Sequence, residues 1–452
     1  MLIIGILTLA STTDKQGVSL TLLKRLAIRG SVWIILGFGI SQVMRFGGNI
    51  VLTRLLSPEA FGIIGIVTAV LIGLEMFSDV GLRPNIIQSQ RGEEPEFVRT
   101  AWTIQIIRGI ILAIAAIAFA WPLASLNNEP SLTIIVPVAG LTAIIAGFNS
   151  TWLLVYSRRM LLGKLVILDL VAHFSSLVTM IIWAWYYPSV WALVAGIFAN
   201  RLVKLIASHS VLAGISMKIQ WEPQSADELI RFGKWIFIST ALGFCVARLD
   251  VFIFGSIAGM DILGIYLLAK NLARLTVEPL IKLASTVLLP LYSRIVEQNP
   301  EQLRSQTFKS RAMLLLLFLP PLWVIVLWGD QLIELLYDER YQDAGWILRI
   351  LAAGMISASI ISTMNPVLLA VGDSFRHLIN NTNRFVLQIL GMSIGTYYAD
   401  VTGFIVGVSV AEFLCYPMIV YLIRPYRVWL PLLDIIAFGS SFLVIWIAFG
   451  MN

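Results

Sequence analysis

Apolar residues run along this chain in blocks of about 20, each closed by a short polar or basic break. That is the length an α-helix needs to cross roughly 30 Å of hydrocarbon at 1.5 Å per residue. The blocks predict about thirteen spans (twelve to fourteen), near 31–53, 60–79, 101–122, 132–155, 165–187, 190–213, 232–256, 262–290, 310–329, 346–370, 377–398, 402–423 and 430–450. The predicted fold class is therefore all-α, a polytopic membrane protein. Pro137, Pro279, Pro320, Pro321, Pro366 and Pro417 lie inside these blocks and predict kinks or broken helices.

The breaks carry a second pattern. Alternate loops hold nineteen Lys and Arg on one side, from Lys24, Arg25 and Arg29 through Lys309 and Arg311 to Arg424 and Arg427. The opposite loops hold Arg54 and Arg340, and the longest of them, Gly329 to Gly345, is acidic. A miscounted span would scramble this contrast, so the basic face is expected to be cytoplasmic, with the N-terminus inside.

Composition agrees: 58% of 452 residues are hydrophobic and 13% charged, against roughly 45–50% and 25% in soluble domains. The net charge of +6 sits mostly in loops, where it sets topology, and no nucleic-acid partner is expected. Cys245 and Cys415 both fall inside spans, which argues against a disulfide and offers no metal-ligand spacing. No G-x-x-x-x-G-K-[ST] loop occurs, and His173, His209 and His377 are scattered, so neither ATP hydrolysis, nor a metal, nor a cofactor is expected. The stretch Met1–Ala10 is apolar but lacks a basic flank and is too short to span. Residues 1–28 are taken as a cytoplasmic leader, with a true start near Val18 as a conjecture.

The chain also resembles itself. At an offset of 202 residues, Trp33 pairs with Trp235 and S-P-E-A-F-G (Ser57 to Gly62) falls on G-M-D-I-L-G (Gly259 to Gly264). The offset holds six spans, so both halves share one orientation and should be related by an axis along the membrane normal. The expected division is an N-lobe over 29–213, a linker over 214–231, a C-lobe over 232–424 and an additional span over 425–452.

Charges inside spans are the most informative residues, because each cation at mid-helix costs roughly 2.5–3.5 kcal/mol on insertion scales. Arg45 and Arg248 stand about 21 and 24 Å from the cytoplasmic edge, and Lys270 and Arg274 about 14 and 20 Å from the outer edge. Lys270, Arg274, Glu278 and Lys282 follow at intervals of four and share a helix face. Arg45, Arg248, Lys270 and Arg274 are thus expected to face one midplane cavity suited to a phosphate-bearing ligand. The competing expectation is structural pairing with Asp79, Asp250 and Glu278, which are also candidates for ion coupling. Arg108, Arg349 and Arg384 add to the surplus of cations within spans. Asn49, Asn271 and Asn365 either line the path or bond between helices.

The run R-G-S-V-W…V-L-T-R-L-L-S-P-E-A-F-G-I-I-G-I-V from Arg29 to Val67, with F-S-D-V-G-L from Phe77, resembles the opening of the oligosaccharide and O-antigen flippases, the polysaccharide transporter family. R-F-G-K-W (Arg231 to Trp235), A-R-L-D-V-F-I-F-G (Ala247 to Gly255) and D-I-L-G-I-Y (Asp261 to Tyr266) resemble the opening of that family's second lobe. The resemblance implies two pseudo-symmetric six-helix lobes around a central cavity lined by the first, second, seventh and eighth helices. It implies a flippase that carries a polyprenyl-diphosphate-linked oligosaccharide from the inner to the outer leaflet of the cytoplasmic membrane by alternating access, for surface polysaccharide biosynthesis. Expected partners are that lipid-linked oligosaccharide, membrane lipids, and a polysaccharide polymerase and glycosyltransferases. A gradient-driven drug exporter of the same superfamily is the second reading, and a membrane-bound glycosyltransferase or polymerase the third. The acidic loop at Asp330 to Asp343 is the one candidate for a catalytic loop, and its shortness favours a solvated connection.

Overall fold

A computed structural model describes residues 20–78, 81–212, 214–298 and 300–450, and every regular element among them is helical. In the first half these are α1 (Leu20–Leu55), α2 (Pro58–Phe77), α3 (Leu82–Gln88), α4 (Pro95–Leu126), α5 (Leu132–Gly147), α6 (Trp152–Arg158), α7 (Leu162–Tyr186) and α8 (Val190–Ser210). The second half holds α9 (Pro223–Leu283), α10 (Leu289–Gln298), α11 (Leu303–Leu336), α12 (Ala344–Ser362), α13 (Asn365–Ala370), α14 (Ser374–Leu414), α15 (Tyr416–Ile423) and α16 (Pro431–Gly450). In hydrocarbon only such internally bonded segments leave no backbone group unsatisfied. Large apolar side chains such as Ile111, Ile114, Leu316 and Ile435 point outward, where a lipid-facing surface needs them, while Ala and Gly pack within.

The chain is a multi-pass membrane protein. Among the described residues ten helices are long and apolar enough to cross a bilayer, or eleven when α5 and α6, bent by 60°, form one broken span. The thirteen separate spans expected from the sequence are not counted out this way, because two expected turns lie within continuous helices. One is at Gly259 of α9 (φ 79°) and the other at Ala399–Asp400 of α14 (φ 46° at Asp400). Both helices fold back on themselves there. In α9, Phe254 stacks on Tyr266 with ring centroids 4.4 Å apart. In α14, Gly391 lies against the Gly407 carbonyl and Gly395 against that of Gly403. Pro366 and Pro417 open α13 and α15 after breaks, the position that tolerates a missing N–H. Pro137, Pro320 and Pro321 remain inside α5 and α11.

On the face opposite the basic loops, close contacts join α2 of the first half to α9 of the second. A Cβ on Gly62 would overlap the Met260 carbonyl, and one on Gly264 would overlap the Pro58 carbonyl. Each contact is the image of the other at the 202-residue offset. Gly65 abuts Leu267, its own counterpart.

Two local expectations are corrected. Arg311, counted with the basic loops, is fully buried in α11 and pairs with Asp434 of α16 at 2.5 Å, with Thr363 Oγ1 accepting from its Nε at 3.0 Å. The acidic loop is not solvated throughout: Tyr337 and Tyr341 are buried, and the Tyr341 hydroxyl donates to the Leu56 carbonyl at 3.1 Å. Both departures have one cause, partners more than a hundred residues away.

Candidate functional site

The α9 hairpin supplies most of the candidate site, because its two arms lie side by side. The first arm carries Arg248 and Asp250; the second carries Lys270, Arg274 and Glu278, spaced four apart on one face. Lys270 Nζ donates to Asp250 Oδ2, which also accepts from the Tyr266 hydroxyl at 2.5 Å. That pair is nearly closed off, with side chains 13% and 11% exposed. Glu278 is held from two sides: Arg274 Nε lies 3.7 Å from Oε1, and Arg45 Nη2 of α1 lies 3.8 Å from Oε2. Gln42 Nε2 donates to the same Oε2 at 3.2 Å. Arg248 has no carboxylate of a described residue within 4 Å and stands in the fields of Arg274, Asp250 and Glu278.

The four cations therefore lie together, but not around one chamber. A cavity of about 460 Å³ between α1, α2, α7, α8 and α9 includes Arg45, Asn49, His173, Asn271 and Glu278 in its wall. A second, of about 180 Å³, lies between α9, α12 and α14 and includes Asp250, Lys270, Arg274, Glu278, Arg384 and Glu412. Glu278 belongs to both walls. The single cavity expected from the sequence is divided because the second arm of α9 stands between the halves, and Glu278 draws Arg45 and Arg274 toward itself from opposite sides. Arg248 belongs to neither wall. Asp79 lies outside the described residues.

Structural pairing accounts for part of the cationic surplus. Lys270 is matched by Asp250, Arg349 by Asp330 at 2.6 Å, and Arg384 by Glu412 at 2.6 Å with Gln388 also donating at 3.0 Å. Arg108 donates to the Ser78 hydroxyl at 2.8 Å and to the Glu75 carbonyl. Arg45, Arg248 and Arg274 are left with one loosely held carboxylate, Glu278, and the Arg45 side chain is 54% exposed. Glu412 escaped the sequence reading, although a glutamate inside the apolar run 402–423 was the visible signal. Of the asparagines, Asn49 and Asn271 face the larger cavity, whereas Asn365 accepts from Asn380 at 3.1 Å between helices. The Asn49 and Gln42 side-chain oxygens are buried with no hydrogen-bond partner among the described residues.

A family model described as "Polysaccharide biosynthesis protein" matches residues 51–345, well over half of the chain. The chain belongs to this family. Among its relatives, the lipopolysaccharide biosynthesis protein WzxC of Escherichia coli (strain K12) is 21% identical over 395 residues, 85% of this chain and 78% of the relative. The succinoglycan biosynthesis transport protein ExoT of Rhizobium meliloti (strain 1021) is 22% identical over 325 residues, 72% of this chain and 65% of ExoT. Among solved structures, the lipid II flippase MurJ in an inward closed conformation aligns with a TM-score of 0.69 at 10% identity, covering 93% of this chain and 92% of MurJ. An inward-facing multidrug resistance MATE family transporter of the MOP superfamily aligns at 0.65 and 14% identity, covering 87% and 98%. At such identities the likeness to MurJ and to the MATE transporter is one of fold. In this chain α2 packs along α9, and α1 reaches the α9 hairpin through Arg45 and Gln42 at Glu278.

Proposed function

We propose that this chain is a flippase that moves a polyprenyl-diphosphate-linked oligosaccharide from the inner to the outer leaflet of the cytoplasmic membrane, for surface polysaccharide assembly. The observation that carries the reading is the gathering of Arg45, Arg248, Lys270 and Arg274 about the α9 hairpin with Asp250 and Glu278 as their only carboxylates within 4 Å among the described residues. A cationic surplus in a low-dielectric setting is costly unless a ligand supplies the missing negative charge, and guanidinium groups bind phosphate oxygens in a fixed fork. The larger cavity gives the saccharide a polar wall, where the unmet acceptor on Asn49 can take a sugar hydroxyl.

In this reading residues 29–213 and 232–424 form two lobes related by an axis along the membrane normal, joined by the linker 214–231 and followed by an extra span over 425–452. The basic loops face the cytoplasm, the N-terminus lies inside, and alternating access rocks the lobes about the α2–α9 contact. A polymerase and glycosyltransferases act before and after the chain rather than within it. The shared fold of multidrug transporters keeps a drug exporter as the second reading, but an excess of Arg and Lys repels cationic drugs.

The test is the Lys270→Ala, Arg274→Ala double variant, assayed by rescue of surface polysaccharide in a deletion strain. Rescue should be lost while membrane abundance stays normal. Full rescue would remove the proposed site, and drug hypersensitivity of the deletion strain with intact polysaccharide would favour the exporter.

A further inference from the structure

Glu278 is the one acidic side chain common to the walls of both cavities. It faces Arg45 and Gln42 from α1, Arg274 from its own helix and Arg248 from the first arm of α9, with His173 of α7 on the same cavity wall. A carboxylate placed to stabilise the bundle would sit in short contact with an arginine, as Glu412 Oε1 does in accepting from Arg384 Nη2 and Nε at 2.6 and 3.1 Å. Glu278 instead holds two arginines at 3.7 and 3.8 Å, with its side chain 30% exposed to the cavities. Contacts this long and this open are individually weak, yet they point both guanidinium groups at one site.

We propose that Glu278 is an internal counter-ion that occupies the place of the ligand's anionic group in the empty transporter and competes with it for Arg45 and Arg274. The inference rests on the reading of the cationic cluster as an anion site. The carboxylate keeps the arginines from standing inside the bundle without a partner charge. When a diphosphate arrives it takes over both guanidinium groups and Glu278 withdraws. When the ligand must leave, Glu278 returns and displaces it. An anion site without such a competitor would bind tightly and release slowly, so the glutamate trades affinity for turnover.

Equilibrium binding of undecaprenyl diphosphate to the full chain in lipid nanodiscs tests this. Glu278→Gln keeps the shape and the hydrogen bonds but removes the charge, and should bind about three- to tenfold more tightly than wild type, the range expected when weak competing ion pairs are deleted. Glu278→Asp, whose shorter side chain retracts the carboxylate, should fall between the two and serves if the glutamine variant does not fold. The gain should vanish when Arg45→Ala and Arg274→Ala are added, because the glutamate acts only through those residues. Damage to the fold lowers affinity and cannot imitate a gain. Unchanged or weaker binding by both Glu278 variants, with normal binding by wild type, would overturn the inference and leave the anion site standing. Failure of wild type itself to bind the diphosphate would overturn both.

Discussion

Arg311 has no exposed atoms, and its guanidinium is held by Asp434 at 2.5 Å and by Thr363 at 3.0 Å, while Asp434 also accepts from the Tyr416 hydroxyl at 2.9 Å. Removing one member of a buried pair leaves the other charge uncompensated, at a cost of about 3–5 kcal/mol. Arg311→Ala should therefore lower stability by about that amount in an unfolding titration. Replacing both charges, as Arg311→Met with Asp434→Leu, should recover most of the loss, because no orphaned charge remains. The sequence placed Arg311 in a basic loop for a physical reason: a topology-setting charge and a buried one look alike when the partner is 123 residues away. That Lys270, Arg274 and Glu278 share one helix face was legible, since it follows from counting along a helix. The division of the cations between two cavities was not, because it depends on where Glu278 points.

At the scale of elements, the two arms of α14 meet through Gly391 and Gly395 on one and Gly403 and Gly407 on the other, each pair spaced four residues apart. Small residues at that spacing let helix backbones approach closely in a membrane, and a Cβ at Gly395 would overlap the Gly403 carbonyl. Gly395→Leu should force the arms apart and cost about 1–3 kcal/mol, measured as a lowered unfolding midpoint. A second element-level device is the segment 214–222, fastened to α4 by Thr103 donating to the Gln220 carbonyl at 2.9 Å and to the connection before α4 by Arg91 pairing with Glu222 at 2.9 Å. The Ser225 hydroxyl first, and Arg91 second, hold the Glu222 carboxyl below its ordinary value of 4.5. A depressed carboxylate contributes stability that is complete above its unfolded value and is lost as pH falls through the folded one. Hydrogen exchange of these amides, corrected for intrinsic rates, should thus stay slow at neutral pH and accelerate below about pH 4.5. Glu222→Gln should be loosened at neutral pH and lack this acid step. The blocks of apolar residues made the spans readable, and the short breaks between 256 and 262 and between 398 and 402 marked the turns at Gly259 and Asp400; there helical hydrogen bonding runs on through the turn, so two spans fall within one continuous helix.

For the whole molecule, the halves meet along α2 and α9, and on the face opposite the basic loops their contacts are unequal in kind. The glycine contacts of α2 with α9 repeat at the 202-residue offset, so a rocking motion about them can keep both. The loop after α11 adds polar contacts to these: Arg340 donates to the carbonyls of Thr53 and Arg54 at 3.0 and 3.2 Å, Tyr341 to that of Leu56, and the Tyr341 ring sits edge-on to Phe61 at 6.2 Å. These carbonyls are the unpaired C-terminal acceptors of α1, which favour a cation. One side chain thus caps the helix that brings Arg45 to the site and ties it to the other half. Opening this face must break that cap, because α1 and α11 belong to different halves. Cysteines at positions 54 and 340, in a chain with Cys245→Ser and Cys415→Ser, place this latch under control. A short bifunctional thiol cross-linker should join them and stop transport, while a monofunctional reagent of similar size should leave at least half of it. Full transport by the cross-linked protein would mean that the two halves do not separate here, and that access to the opposite leaflet opens along another seam of the bundle.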